Sequence, residues 1–223
     1  MEHQTPANWG ALFDWDGVII DSSAHHEESW NRLAMEGNLP LPEGHFKKGF
    51  GRKNDFIIPE ILGWTHDLSE ISRLSLRKEE LYREIVTEWG LSPLPGVRTW
   101  LERLRTAGVP CAIGSSTHRA NINLSLGLIG LAEFFSAIVT AEDVTEGKPN
   151  PQVFLKGAGK IERPADHCVV FEDAFVGIAA ARAGGMKVVA VATTHPIAEL
   201  GAADIAVSRL DELEPVTLAK WFD

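Results

Sequence analysis

Cysteine is nearly absent: Cys111 and Cys168 are the only two in 223 residues, and both sit in apolar, strand-like runs. Two cannot build the disulfide framework of a small secreted domain, and their setting points to buried, reduced thiols. Excess positive charge is lacking as well. The formal net charge is -10 and no basic run offsets it, so a nucleic-acid backbone would be repelled, while an anionic substrate would need a local cation. Nowhere do about 18 apolar residues follow one another, the length a membrane span requires. Met1 to Trp9 are polar, without the apolar run of a signal peptide, so the expected address is the cytoplasm. Internal repeats and low-complexity segments are missing too. What is present, 44% hydrophobic and 23% charged residues, can bury a full core as one large domain or as a core with a smaller inserted one.

The stretch Ala11-Leu12-Phe13-Asp14-Trp15-Asp16-Gly17-Val18 concentrates the chemistry. Its apolar run reads as a buried strand, and side chains at i and i+2 of a strand share a face. Asp14 and Asp16 are therefore expected to converge. Two carboxylates held together resist ionising unless a cation sits between them, which suggests a magnesium-dependent phosphoryl-transfer site with Asp14 as nucleophile and Asp16 as acid/base. Asp-x-Asp-Gly also occurs in surface turns and calcium loops. A calcium loop wants further oxygen ligands at alternate positions, whereas Val18, Ile19 and Ile20 follow here.

Beyond this strand the spacing predicts a helix from Ala24 to Met35, with Ser23 as cap and Gly37 as stop. A Pro/Gly-rich passage runs from Pro40 to Gly51, and an apolar turn covers Asp55 to Leu62. Asp67 and Glu70 resemble a capping box opening a long charged helix to Trp89. Residues 24–89 read as all helix. After the linker Leu91 to Gly96, Val97, Trp100, Leu101 and Leu104 mark an amphipathic helix stopped by Gly108. Helices then alternate with short apolar runs at Val109 to Gly114, Ala137 to Thr140, Cys168 to Phe171, Val188 to Val191 and Ile205 to Val207. Such alternation signals a parallel sheet. The first strand lacks a partner until residue 109, so the fold class expected is a doubly wound α/β core, residues 1–20 and 94–223, carrying an all-helical insertion at 21–93.

In open α/β sheets the ligand site lies at the carboxyl ends of the strands. Asp14, Ser115 and Asp173 each stand where an apolar run ends. Ser115, Ser116 and Thr117 put three hydroxyls before a helix, which suits an anion, although a simple N-cap would use the same residues. Lys148 precedes Pro149, Asn150 and Pro151, the latter two set as N-cap and first helical residue. It is either solvated or a fixed charge beside the nucleophile. Glu172 and Asp173 close a buried strand, where a solvated face explains them poorly and a hard divalent cation explains them well.

Taken together these motifs resemble the haloacid dehalogenase superfamily, in the branch with a helical cap after the first strand. Asp14-Trp15-Asp16-Gly17-Val18 is similar to its first motif and Ser115 to its second. Gly147-Lys148-Pro149 is similar to the third, and Phe171-Glu172-Asp173 with Gly177 and Ala180 to the fourth. The resemblance implies a Rossmann-like core and a Mg²⁺ cofactor held by the Asp14 and Asp173 side chains and the Asp16 main-chain carbonyl, with Glu172 binding or supporting it. It further implies attack on phosphorus by Asp14, proton transfer by Asp16, and neutralisation of the phosphoryl oxygens by Lys148 and Ser115. A dehalogenase is disfavoured because that branch generally lacks the second aspartate. His26, and Arg52 in Gly49-Phe50-Gly51-Arg52, resemble the cap histidine and phosphate-gripping arginine of β-phosphoglucomutase-like members, though cap packing and a solvated loop would account for them too. Thr117-His118-Arg119 departs from the Ser-Lys-Asn sequence usual there.

The expected function is thus hydrolysis of a small phosphorylated metabolite, a sugar phosphate foremost, through an aspartyl-phosphate. A β-phosphoglucomutase sharing that intermediate is the alternative, and a non-catalytic phosphate-binding protein is the rival of another class. No nucleic-acid or membrane partner is expected, and the sequence is compatible with a monomer.

Overall fold

The structure, a computed structural model, describes residues 7–49 and 52–223. Phe50 and Gly51 of the cap stretch, and Met1 to Pro6, lie outside the described residues. The chain forms two compact units, Met1–Asp21 with Ser92–Asp223, and Ser22–Leu91. No helix among the described residues is long and apolar enough to cross a membrane.

Among the described residues, the first unit holds six strands: β1 (Gly10–Phe13), β2 (Cys111–Gly114), β3 (Ala137–Val139), β4 (Cys168–Glu172), β5 (Lys187–Val191) and β6 (Ile205–Val207). All pairings are parallel, in the order β3-β2-β1-β4-β5-β6. The chain therefore winds outward from β1 on one side, crosses back, and winds outward on the other. This is the doubly wound, Rossmann-like sheet, and its switch point lies beside β1, where such folds bind ligands. Phe13 pairs with Ile113 and Phe171, and the Phe13 and Phe171 rings stack at 4.6 Å. The central strands β1, β2 and β4 are buried at every position, hence on both faces, which is why they read as continuous apolar runs rather than alternating ones. Truncating a fully buried side chain here, as in Leu12→Ala, would cost about 2–5 kcal/mol. Cys111 and Cys168 are buried free thiols, and desolvation raises both to about 12, so neither ionises near neutral pH.

The second unit is helical: α1 (Ser23–Gly37), α2 (His45–Gly49), α3 (Asn54–Phe56) running into a wide turn at Ile57–Ile61, and α4 (Leu68–Trp89). Trp30 and Leu33 of α1, Ile57, Ile58 and Leu62, and Ile71, Leu74 and Leu81 of α4 form its core. The remaining helices belong to the sheet unit: α5 (Val97–Thr106), α6 (Arg119–Ile129), α7 (Gln152–Lys160), α8 (Phe175–Ala183) and α9 (Pro215–Ala219).

Several helix ends differ from expectation. Ser23 is the first residue of α1 rather than its cap, and Gly37 is helical; the helix stops because Asn38 takes a left-handed φ of 47 and donates back to Ala34 and Met35, a conformation asparagine tolerates. Only half of the capping box forms. Asp67 accepts from the Glu70 N–H, but the Glu70 carboxylate turns forward to Arg73 at 2.7 Å. At α7 the start moves on by one residue: Pro151 occupies the cap position, and Asn150 caps from outside by accepting from the Gln152 N–H at 3.0 Å.

Candidate active site

β1 ends at Phe13, so Asp14 lies one residue beyond the strand and Asp16 lies in the turn that follows. Strand alternation is therefore not what brings the two near each other. The turn does: the Gly17 N–H donates to the Ile20 carbonyl at 2.7 Å, and the backbones of Asp16 and Ile20 pair. Gly17 has φ +79, and a Cβ there would stand 2.1 Å from Asp173 Oδ2. Only glycine permits both the turn and the close approach of the β1 and β4 loops.

Those loops deliver a dense acidic group. Asp14, Glu172 and Asp173 each offer a carboxylate oxygen within 4.8 Å of the others. Lys148 reaches in from the loop before α7, donating to Asp14 Oδ1 at 2.8 Å and Glu172 Oε1 at 2.6 Å, its Nζ resting 4.7 Å from the centre of the Phe154 ring. Its ammonium is thus held among carboxylates and is not solvated. Glu172 Oε2 accepts from the backbone N–H groups of Asp173 and Ala174, each at 2.8 Å. A Cβ on Gly177 would fall 1.7 Å from Glu172 Oε1, so that glycine lets α8 close over the carboxylate.

The electrostatics follow from this crowding. Burial, aided by Glu172 and Asp16 and opposed by Lys148, raises Asp14 to about 7. Asp173 is raised to about 8 by burial and by Glu172 and Asp14. Burial opposes charge on Lys148, yet Asp14 and Glu172 outweigh it and hold its pKa above the usual lysine range. Two carboxylates kept from ionising beside a lysine already committed are what a hard divalent cation would relieve.

On the other side of the switch point, Ser115 is buried at the tip of β2. Its Oγ accepts from the Thr117 N–H at 3.1 Å, and the Thr117 hydroxyl donates to Asp16 Oδ2 at 2.5 Å. Ser116 lies half-buried between them. His118, not Ser115, holds the cap position of α6. Contacts thus join Asp14, Lys148, Glu172 and Asp173 in one group and Asp16, Thr117 and Ser115 in another, and Asp16 lies near enough to Asp14 to act on its charge. His26 and Arg52 belong to the helical unit. There His26 stacks on Tyr82 at 4.1 Å with its Nδ1 2.7 Å from Lys78 Nζ, and exposed Arg52 covers the Phe56 ring at 4.5 Å.

Two groups escaped sequence reasoning. Thr193 and Thr194, just past β5, donate to the Gly17 carbonyl at 2.5 Å and to Asp173 Oδ2 at 2.7 Å; they close a further apolar run, and that was the available signal. Lys78 is buried and paired with Glu79 at 3.0 Å. It falls at helical spacing between Leu74 and Leu81, a charge on an apolar stripe.

Comparison with known proteins accords with this architecture. The model of the haloacid dehalogenase-like hydrolases matches residues 11–191. Over 217 residues the chain is 38% identical to the chloroplastic 5-amino-6-(5-phospho-D-ribitylamino)uracil phosphatase of Arabidopsis thaliana, covering 96% of this chain and 58% of that protein, so it spans little more than half of that relative. It is 30% identical to the β-phosphoglucomutase of Bacillus subtilis (strain 168), with 91% and 90% covered. Among solved structures, a family IA, variant 3 HAD hydrolase from Entamoeba histolytica HM-1:IMSS superposes with a TM-score of 0.86 at 26% identity over 96% of this chain and 98% of that one. With that span of the family model, and with a buried lysine bridging carboxylates from β1 and β4, the chain belongs to the haloacid dehalogenase-like hydrolase family.

Proposed function

We propose that this protein is a Mg²⁺-dependent phosphatase acting on a small phosphorylated sugar or sugar alcohol through an aspartyl-phosphate on Asp14. The observation that carries the reading is Lys148 bridging Asp14 at 2.8 Å and Glu172 at 2.6 Å beside Asp173, an anionic cradle built to accept positive charge and then a phosphoryl group. The cation would be held by the Asp14 and Asp173 carboxylates and the Asp16 carbonyl; Glu172, with both oxygens already holding protein donors, supports it. When bound, Mg²⁺ supplies charge neutralisation at the phosphoryl oxygens.

The protein's own groups do the rest. Asp14 attacks phosphorus, and the bond to the ester oxygen breaks as Asp16 hands that oxygen its proton. Asp16, now a carboxylate, takes a proton from water; the water oxygen attacks phosphorus, the bond to Asp14 breaks, and inorganic phosphate leaves. Thr117 orients Asp16 through the bond to Oδ2. Lys148 and Ser115 offer donors to the equatorial oxygens, where most catalysis of phosphoryl transfer resides.

The mutase alternative has sequence kinship and Arg52 in its favour. Against it, the residues standing for the Lys-Asn pair are engaged with carboxylates at the surface of the sheet unit: His118 Nδ1 lies 3.2 Å from Glu142, and the Arg119 guanidinium pairs with Asp143. With those contacts redirected, water competes successfully for the aspartyl-phosphate. The test is a panel of phosphorylated metabolites that includes 5-amino-6-(5-phospho-D-ribitylamino)uracil and β-glucose 1-phosphate with catalytic glucose 1,6-bisphosphate. Phosphate release from sugar or polyol phosphates, abolished by EDTA and restored by Mg²⁺, is expected. Rapid glucose 6-phosphate formation with negligible phosphate release would make the mutase reading correct.

A further inference from the structure

We infer that Thr193 and Thr194 are positioning residues that clamp the cation-binding carboxylate of Asp173 in its working rotamer. Resting on the metal site proposed above, this inference adds a third loop, the one after β5, to those after β1 and β4. The geometry converges on one oxygen. Asp173 Oδ2 accepts from the Thr194 hydroxyl at 2.7 Å, and the same hydroxyl lies 3.0 Å from the Asp173 carbonyl. On its other flank Oδ2 faces the Cα of Gly17, close enough that a Cβ would be 2.1 Å away. Gly17 is itself held by the Thr193 hydroxyl, which donates to its carbonyl at 2.5 Å.

A carboxylate turns readily about its terminal bond, since that torsion has broad wells. Here one oxygen is held by a hydroxyl on one side and by a pinned glycine on the other, leaving the second oxygen at a defined bearing. Supports of this kind, which touch a ligand rather than the ion, typically change metal affinity by about 10–100-fold when removed. Neighbouring threonines divide the work: Thr194 orients the ligand, and Thr193 keeps the wall against which the ligand rests. Both residues are exposed, so substituting them leaves the fold in place.

The experiment titrates metal-free full-length protein with Mg²⁺ by calorimetry, alongside thermal melts in EDTA. Thr194→Val is expected to raise the Mg²⁺ Kd by about 10–100-fold with an unchanged melt in EDTA, while Thr194→Ser, which keeps the hydroxyl, stays within about threefold of wild type. Thr193→Val should weaken binding by less than Thr194→Val. Turnover at saturating Mg²⁺ should recover in these threonine variants, so that the defect lies in the metal activation constant. Asp173→Ala is the control that separates the two levels. If it loses Mg²⁺ while Thr194→Val binds as wild type, the clamp is wrong and the metal site stands. If Thr194→Ser is as weak as Thr194→Val, the hydroxyl is not the cause and the clamp is again wrong. Should Asp173→Ala bind Mg²⁺ normally, the clamp falls together with the site it serves.

Discussion

Each unit of the chain buries a lysine against a glutamate, and the two pairs have opposite balance. In the helical unit Lys78 meets Glu79 at 3.0 Å, Asn54 donates to the same carboxylate at 2.8 Å, and His26 lies beside the lysine. Burial alone would raise Glu79, but Lys78 and His26 outweigh it and bring the carboxyl down to about 2. In the sheet unit Lys148 also bridges carboxylates, yet Asp14 and Asp173 remain raised, to about 7 and about 8. The first cluster is closed: its charges are compensated by its own members. The second is open, holding more carboxylate than its lysine offsets. Burial of a charge pair is thus not in itself a sign of a site, and the sign of the pKa displacement tells the closed cluster from the open one.

The largest test of this contrast removes the carboxylate of Asp14, the nucleophile proposed above. Asp14→Asn should lower turnover by roughly four orders of magnitude or more, because an amide cannot form the covalent intermediate. It should melt no lower than wild type without metal, since one crowded carboxylate has been removed. Hydrolysis assays and thermal melts on one preparation decide both points, and near-normal turnover would end the covalent reading.

The matching change in the helical unit works the other way. Lys78→Met leaves Glu79 buried without its cation and should cost on the order of 3–5 kcal/mol, read as a lower denaturation midpoint. Replacing the pair together with apolar residues should recover much of that loss. If the single and double replacements prove equally damaging, Lys78 and Glu79 do not compensate one another and the cluster is not closed.

Acid offers a gentler probe. A carboxyl at about 2 when folded and near 4.5 when unfolded stabilises the fold above pH 4.5 and loses that contribution as pH falls through 4.5 toward 2, on the order of 3 kcal/mol in all. For Asp14 and Asp173 the sign reverses: the folded state holds protons that the unfolded chain releases, so metal-free protein should lose stability as pH rises from about 4 toward 8. Saturating Mg²⁺ should then restore stability at pH 8, by about 2.7 kcal/mol at a hundredfold excess over Kd. Melts with and without EDTA across pH 3 to 9 would show whether these two trends separate.

The smallest effect concerns Arg52, exposed in the helical unit. Arg52→Ala should raise KM for phosphosugars about tenfold, the loss of one charge-assisted fork, and should leave an artificial aryl phosphate almost unchanged. Equal effects on both substrates would assign Arg52 to cap packing against Phe56.

Much of this protein was readable before folding, because strand-end chemistry is local. Apolar runs closed by Asp14, Ser115 and Asp173 announced both the sheet and the edge that carries the candidate site, and the long block without strand character announced the inserted helices. The order of strands made the rest a matter of geometry, since the doubly wound topology brings those ends to one switch point. What sequence could not supply were relations between residues far apart in the chain. Whether Lys148 is a solvated lysine or a bridge depends on the loop before α7 meeting β1 and β4. The Asp14 and Asp16 pair is arranged by a turn rather than by strand alternation. Thr194 becomes a partner of Asp173 only because β5 lies beside β4. Composition and periodicity determine which residues are buried and in what kind of element, because burial and backbone preference act locally. Only the tertiary structure decides which buried charges are compensated, because that depends on which distant loops end up within a few ångströms of one another.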